Sequence, residues 1–506
     1  MNLKTKLKLI LSRPSVVPNA GSGRPAAPRI RPPIALVMAG LTILAVAVVP
    51  VASAHQFGHR TDGSTAVARS RVAADVLMNS YDPDKAWFPS SWWNSAVALQ
   101  TVGDYMQRTG DRRYLGQLNN TFEKDKSVFP AGVLSGDPLL GNFTSRAIDD
   151  SEWWGLTWLQ AYDLTGDRKY LDMAVTIANY VHGYWDTSTC GGGVWWNAER
   201  TYKNAITNGL WIRLTAELHN RMGGDKVWLA RSREAWAWFQ GSGMINANGL
   251  VNDGLTNTCT NNGQNVWSYN QGLAIGAGLE LWRATRDPSI LATVRRLADA
   301  AIAPGGLVAN GILTESCDAL DQTCDDNGKQ FKGIFMRYWT DLVDTTHDRH
   351  YAAFLDQQAD SIWKNDRDAA DRLGTRWSGA TSDEHPNVFD WRTQASALSA
   401  LIGDVPAWMP RESLAATMSP AQPVFMPAAS GASTIPINLG VSATGFFPMH
   451  VLALIDPPAG WNVSPRAALL RLHPHGSALP VSGSIPLKLT VPSLATDGHH
   501  KVTADV

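Results

Sequence analysis

Through the middle of the chain, apolar residues recur with helical rather than strand spacing. Trp154, Trp158 and Ala161 follow i, i+4, i+7, and Leu171, Ala174, Val175 and Ala178 follow i, i+3, i+4, i+7. Ile206, Leu210, Leu214 and Leu218 form another such ladder. Each marks the buried stripe of an amphipathic helix. A polar break recurs between the ladders. Thr109-Gly110-Asp111-Arg112-Arg113-Tyr114-Leu115 is echoed by Thr165-Gly166-Asp167-Arg168-Lys169-Tyr170-Leu171. Looser copies begin at Gly223, Thr285 and Thr346. Glycine suits the left-handed residue that closes a helix, aspartate caps the next one, and Tyr-Leu opens its buried face. The breaks return about every 60 residues, the signature of an architectural repeat.

Five such turns, with a further hairpin expected to begin near Asp390-Trp391-Arg392-Thr393-Gln394, make six helical hairpins. Six hairpins closing on themselves give an all-α (α/α)6 toroid over residues 55–404. The long loops between hairpins, rich in Gly, Asn and Trp, would line a cleft on one face. An open helical solenoid is the alternative topology.

The pattern changes after Asp404. Residues 405–433 are rich in Pro, Ala, Ser and Met and read as a linker. Beyond them, Ile435–Leu439, Val451–Ile455 and Pro486–Val491 are short β-rich runs bounded by Gly and Pro. A small β-sandwich over 434–506 is expected, with a last strand that is short or cut at Val506.

The N-terminal 54 residues have a different character. Lys4, Lys6, Lys8, Arg13, Arg24, Arg29 and Arg31 precede an apolar run from Ile34 to Val49, followed by Pro50 and Ala52-Ser53-Ala54. Basic region, apolar region and small-residue site together describe a secretory signal cut after Ala54. An uncleaved anchor is the rival, although the run is short for a membrane span. A secreted, monomeric protein, not inserted in a membrane after cleavage, is the expectation. Losing those cations takes the formal net charge from −1 to −8, which disfavours nucleic acid and anionic membranes as partners. Neutral polysaccharide fits better, and 21 tryptophans offer flat faces for sugar rings or for core packing. Cys190, Cys259, Cys317 and Cys324 are the four cysteines. An even number in an exported chain suggests two disulfides. Three pairings are open; a Cys317–Cys324 loop staple would leave Cys190 for Cys259. The spacings lack the paired pattern of a zinc site, and neither metal nor cofactor is expected.

The candidate chemistry lies in Arg146-Ala147-Ile148-Asp149-Asp150-Ser151-Glu152-Trp153-Trp154. Glycoside hydrolysis uses two carboxylates, one attacking or activating water and one protonating the leaving oxygen. Asp149 and Asp150 supply such a pair, and mutual repulsion would help keep one protonated. A structural reading competes: Asp149 as an N-cap with Glu152 three residues on, a capping box.

The Asp-Asp-x-x-Trp-Trp segment resembles the active-site signature of glycoside hydrolase family 76, the retaining endo-α-1,6-mannanases. Trp92-Trp93-Asn94-Ser95-Ala96, Cys190-Gly191-Gly192-Gly193-Val194-Trp195-Trp196, Lys203-Asn204-Ala205-Ile206-Thr207-Asn208-Gly209, Tyr269-Asn270-Gln271-Gly272 and Phe331-Lys332-Gly333-Ile334-Phe335 resemble it in order, across about residues 65–402. The resemblance implies an (α/α)6 barrel, α-mannan as substrate, Asp149 as nucleophile and Asp150 as acid/base. Among its motifs, Trp93 and Trp154 are candidates to stack on mannose. Asn94, Asn204, Asn208 and Gln271 are candidates to bond sugar hydroxyls, and Asp253 to hold a hydroxyl at the scissile sugar. Lys332 and Arg337 are expected to steady carboxylates or loops. Cys317–Asn327 contains fragments of a calcium loop without its ligand spacing. The C-terminal sandwich resembles fibronectin-like accessory domains. Transglycosylation, a non-catalytic glycan-binding toroid, and a lyase or epimerase are the competing functions.

Overall fold

Each polar break is a turn between two helices. In the computed structural model, which describes residues 6–12, 63–406, 413–419, 433–444, 449–472, 481–491 and 499–505, Gly110 and Gly166 close their helices at φ 76° and 70°. Arg286 and His347 take the same left-handed place at φ 58° and 53°. The side chains of Asp167, Asp287 and Asp348 then cap the following helices by accepting backbone N–H groups.

Twelve α-helices follow among the described residues: α1 (Gly63–Met78), α2 (Trp92–Thr109), α3 (Leu115–Asp125), α4 (Ile148–Thr165), α5 (Arg168–His182), α6 (Ala205–Arg221), α7 (Val227–Gly241), α8 (Ser268–Thr285), α9 (Pro288–Ile302), α10 (Gly328–Thr346), α11 (Arg349–Ser361) and α12 (Trp391–Asp404). The even-numbered helices pack side by side from α2 through α12 and back to α2, forming a closed inner ring. Every residue of α12 is buried, as befits a helix surrounded by protein. The chain is therefore a closed toroid and not an open solenoid.

The sixth hairpin differs from the expectation. No hairpin starts near Asp390; α12 stands alone at the end of the domain and pairs with α1 from its beginning. Gln394 Nε2 donates to Ala73 O at 3.1 Å, and Ser70 Oγ donates to Leu401 O at 3.0 Å. The buried face of α1 (Ala66, Ala73, Ala74, Leu77) needs a partner, and the far end of the domain supplies most of it.

The inner helices approach closely over glycine. A Cβ on Gly272 of α8 would lie 2.5 Å from Phe335 Cα, and one on Gly333 of α10 would lie 2.4 Å from Ser396 Cα. Both neighbours are backbone atoms on the next inner helix, so the helices themselves would have to separate. Gly333→Ala is expected to cost about 1–3 kcal/mol through this overpacking. Urea unfolding reads it, and an unchanged midpoint would refute the close-approach argument.

The strands beyond the helical domain, joined by one from the N-terminal segment, form two four-stranded sheets, as expected of a sandwich. One has the order Lys6–Ser12, His499–Asp505, Met449–Asp456, Ala467–Leu472; the other Ser413–Ser419, Ser433–Thr444, Val481–Val491, Asn462–Ser464. Ile437, Leu439, Val441, Val451, Ala453, Ile455, Leu487 and Leu489 fill the core between them. Two strands lie in segments expected to be linker and leader. Ser413–Ser419, inside the expected linker, pairs with Asn438–Thr444 along its whole length, because its alternate apolar residues can join the sandwich core. Lys6–Ser12, inside the expected leader, pairs antiparallel with His499–Asp505. The apolar run Ile34–Val49 and the site at Ala52–Ala54 lie outside the described residues. Among the described residues no helix is long and apolar enough to cross a membrane.

Candidate active site

The first turns of the inner helices surround one end of the toroid, and α4 brings the aspartates there. Its N-cap is Ala147, which makes no side-chain cap. Asp149 and Asp150 are thus the second and third residues of the helix, and the capping-box reading fails. Ser151 fixes the preceding loop by accepting Ser145 N–H at 2.9 Å. The α5–α6 loop lies along this start: Ile148 N donates to Trp196 O, and Ala198 N to Arg146 O, each at 2.8 Å. It places the Trp196 indole so that Nε1 donates to Asp149 Oδ2 at 3.1 Å. Asp149 Oδ1 accepts the Asp150 backbone N–H at 3.1 Å.

Burial governs the charges here. Asp149 and Asp150 are half-buried by surface, with their carboxyls deep among protein atoms. Desolvation pushes Asp149 up to about 7; the Asp253 charge adds to this, while the donors Asp150 N–H and Trp196 Nε1 oppose it. Asp150 is raised well above the usual carboxylate range, first by burial, then by the Asp149 and Asp137 charges. Glu152, one turn deeper, is raised likewise by burial and Asp149. Two tightly coupled carboxyls at the positive end of a helix can share one proton near neutrality: one ionised, one acidic.

Asp253 joins this end from the α7–α8 loop. Tyr202 Oη donates to its Oδ2 at 2.6 Å, and Asn262 Nδ2 donates to Tyr202 at 2.8 Å. Tyr269, on the first turn of α8, is electrostatically close to both Asp253 and Asp149. Its ring lies flat on Phe331, centroids 3.9 Å apart. Trp93, on the first turn of α2, is half-buried, stacks on Trp153 at 6.0 Å and donates to Asn327 Oδ1 at 3.1 Å.

Five of the residues expected to contact sugar lie buried, with protein partners. Trp154 is fully buried between Trp92, Phe143 and Trp158; it is core. Asn94 donates to Gln330 Oε1 at 2.6 Å, joining α2 to α10. Asn204 caps α6 by accepting Thr207 N–H. Asn208 holds both polar groups of Val194, at 2.7 and 3.1 Å. Gln271 accepts Val251 N–H at 2.9 Å and donates to Leu297 O at 2.8 Å. These amides pin loops and neighbouring helices, and satisfying buried backbone groups uses them up. Lys332, as expected, steadies loops, pairing with Asp318 and donating to Thr375 O. Arg337 binds Asp104 at 2.7 Å, away from the aspartate pair.

Trp196, Tyr202 and Tyr269 escaped the sequence reading of the site. Trp196 and Tyr269 stood within quoted motifs, yet nothing in Trp195-Trp196 says which ring meets solvent. Trp196 does, at 38% exposure. Both disulfides formed, Cys190–Cys259 and Cys317–Cys324. The first ties the loop carrying Trp196 to the loop carrying Asp253. Among the described residues, no group of three or more His, Cys, Asp or Glu is placed to hold a metal.

The model of glycosyl hydrolase family 76 matches residues 64–410. Candida albicans proteins named mannan endo-1,6-alpha-mannosidase, DFG5 and DCW1, are each 25% identical, over 62% and 53% of this chain and 72% and 63% of theirs. Curated relatives are thus matched over only part of their length, some over less than two thirds. Among solved structures, the GH76A alpha-1,6-mannanase of Salegentibacter sp. HEL1_6 is 24% identical with TM-score 0.57, over 67% of this chain and 98% of that one. An inactive variant of that enzyme, two consecutive aspartates replaced by asparagine, is complexed with alpha-1,6-mannotriose, and aligns at 23% identity with TM-score 0.57, over 67% of this chain and 99% of its own. Dfg5 from Chaetomium thermophilum, in complex with glucosamine, has TM-score 0.58 at 20% identity, over 69% of this chain and 92% of its own. With the closed helical ring, the paired aspartates at its mouth and a family match spanning the whole helical domain, the chain belongs to glycosyl hydrolase family 76.

Proposed function

We propose that the protein is an exported, retaining glycoside hydrolase that cleaves α-1,6-mannosidic linkages by double displacement. The carrying observation is the coupled carboxyl pair at the mouth of the ring, one held near neutrality and the other well above the carboxylate range. Asp149 is the nucleophile: its donors engage both oxygens and favour its anion. Asp150, the more strongly raised, carries the proton to the leaving oxygen. The resulting glycosyl ester on Asp149 is then opened by water, which Asp150 deprotonates, and the configuration at the anomeric carbon is retained. Asp253, braced by Tyr202, offers its other oxygen to a hydroxyl of the scissile sugar. Both cysteine pairs being oxidised agrees with export.

The test is incubation of the protein with unbranched α-1,6-mannan, with products resolved by size and anomeric configuration followed by NMR. Oligomers released first as the α-anomer are expected. A first product in the β-anomer would overturn the retaining assignment. Elongated acceptors in place of free oligomers would move the reading to transfer.

A further inference from the structure

Asp149 lacks the cation that commonly holds a buried carboxylate. Among the described residues its hydrogen-bond donors are two backbone N–H groups, that of Asp150 and its own, and a single side chain, the indole of Trp196. The charged and titratable groups around it are Asp150 and Glu152 from α4, Asp253 from the α7–α8 loop and Tyr269 from α8. All are acidic, so none draws Asp149 toward its anion.

The indole is itself held in place. Trp196 O accepts Ile148 N–H, and Trp196 N donates to Tyr202 O, both at 2.8 Å. The Tyr202 ring meets the indole edge-on at 6.3 Å and 80°, and the same Tyr202 hydroxyl binds Asp253. One loop therefore sets the relative positions of Asp149 and Asp253. Even so, Trp196 leaves 38% of its surface exposed, a cost for so large an apolar ring that a stacked sugar would recover.

We infer that Trp196 is the positioning residue for the nucleophile and a platform for the mannosyl unit being transferred: its N–H aims Asp149 Oδ2 at the anomeric carbon while its open face backs the sugar. This rests on the retaining mannanase reading above. Trp196→Phe removes the N–H and keeps a flat ring, whereas Trp196→Ala removes both.

A hydrogen bond to a carboxylate favours the anion, so its loss raises the nucleophile's pKa. The acidic limb of kcat/KM should move up by about one pH unit in Trp196→Phe, with kcat/KM down about tenfold below the limb's midpoint. Trp196→Ala should share that shift and raise KM severalfold besides. Labelling by a 5-fluoro-mannosyl fluoride, read as intact mass, follows ester formation on Asp149 without needing turnover. Its rate should fall in both variants, with the same displaced limb. A Trp196→Phe enzyme with wild-type labelling rate and acidic limb would overturn the inference while leaving the mannanase reading intact. A wild type that neither cleaves α-1,6-mannan nor takes the label would overturn the reading and the inference with it.

Discussion

Asp149→Asn and Asp150→Asn are each expected to lower turnover of α-1,6-mannan by on the order of 10⁴-fold. The two losses should differ in kind. Without Asp149 no carboxylate oxygen can attack the anomeric carbon and no glycosyl ester forms, so every substrate suffers. Without Asp150 the ester still forms from a substrate whose leaving group needs no proton, and hydrolysis of that ester becomes the slow step. Added azide should therefore restore turnover of Asp150→Ala on an activated mannoside, giving a mannosyl azide of retained configuration. In Asp149→Ala, azide can enter only from the face the carboxylate vacated, and the product is inverted. Identical azide products from both variants, or full activity in either, would remove the assignment. Thermal midpoints should change little, since among the described residues neither carboxylate joins a salt bridge and both are raised by burial.

The second large effect lies at the opposite end of the inner helices. Arg213 of α6 binds Glu217, donates to Asp341 at 2.9 Å and to the Gly276 carbonyl at 2.7 Å, and lies 3.6 Å from Glu280. Its side chain is 12% exposed, those of Glu217 and Glu280 7% each. Arg221 and Arg283 join the same network through Asp163, Glu280 and Asp341. Four helices of the ring, α4, α6, α8 and α10, are thereby joined through buried charge. Arg213→Met keeps most of the volume but leaves the carboxylates short of one cation, at an expected cost of about 3–5 kcal/mol. Urea unfolding at neutral pH measures it. The deficit should shrink at acidic pH, because protonation relieves the uncompensated carboxylates. A variant that unfolds with the wild-type midpoint, or whose deficit is the same at both pH values, would show that packing rather than charge holds this end.

Local physics made most of the helical domain legible. Glycine and aspartate at the breaks act through their own backbone conformation and side-chain oxygen, so a turn such as Thr165–Leu171 can be read without knowing what surrounds it. The sixth pair could not be read that way. Its members, α1 and α12, are separated by the whole domain, and the contact Gln394–Ala73 has no local signature. Strand Ser413–Ser419 was hidden for a related reason: in a proline- and serine-rich stretch, its strand character depends on the partner at Asn438–Thr444.

The same division runs through the site. Adjacent aspartates beside paired tryptophans suffice to suggest glycoside chemistry, because that reaction runs on a pair of carboxylates. Amide side chains are ambiguous in sequence: an Asn or Gln bonds a sugar hydroxyl and a loop carbonyl with the same groups. Only burial distinguishes the two, and it assigned Asn208 and Gln271 to Val194 and Val251. The sequence by itself determined the repeat, the number of turns, the paired carboxylates and the cysteines available for pairing, since each depends on residues close together in the chain or on composition. Tertiary structure alone decided that the ring closes through α1, that Trp154 is core while Trp196 is open, and that Trp196, Tyr202 and Asp253 gather around Asp149. Those are facts of long-range contact and solvent exclusion, which the order of residues constrains only once the whole ring has packed.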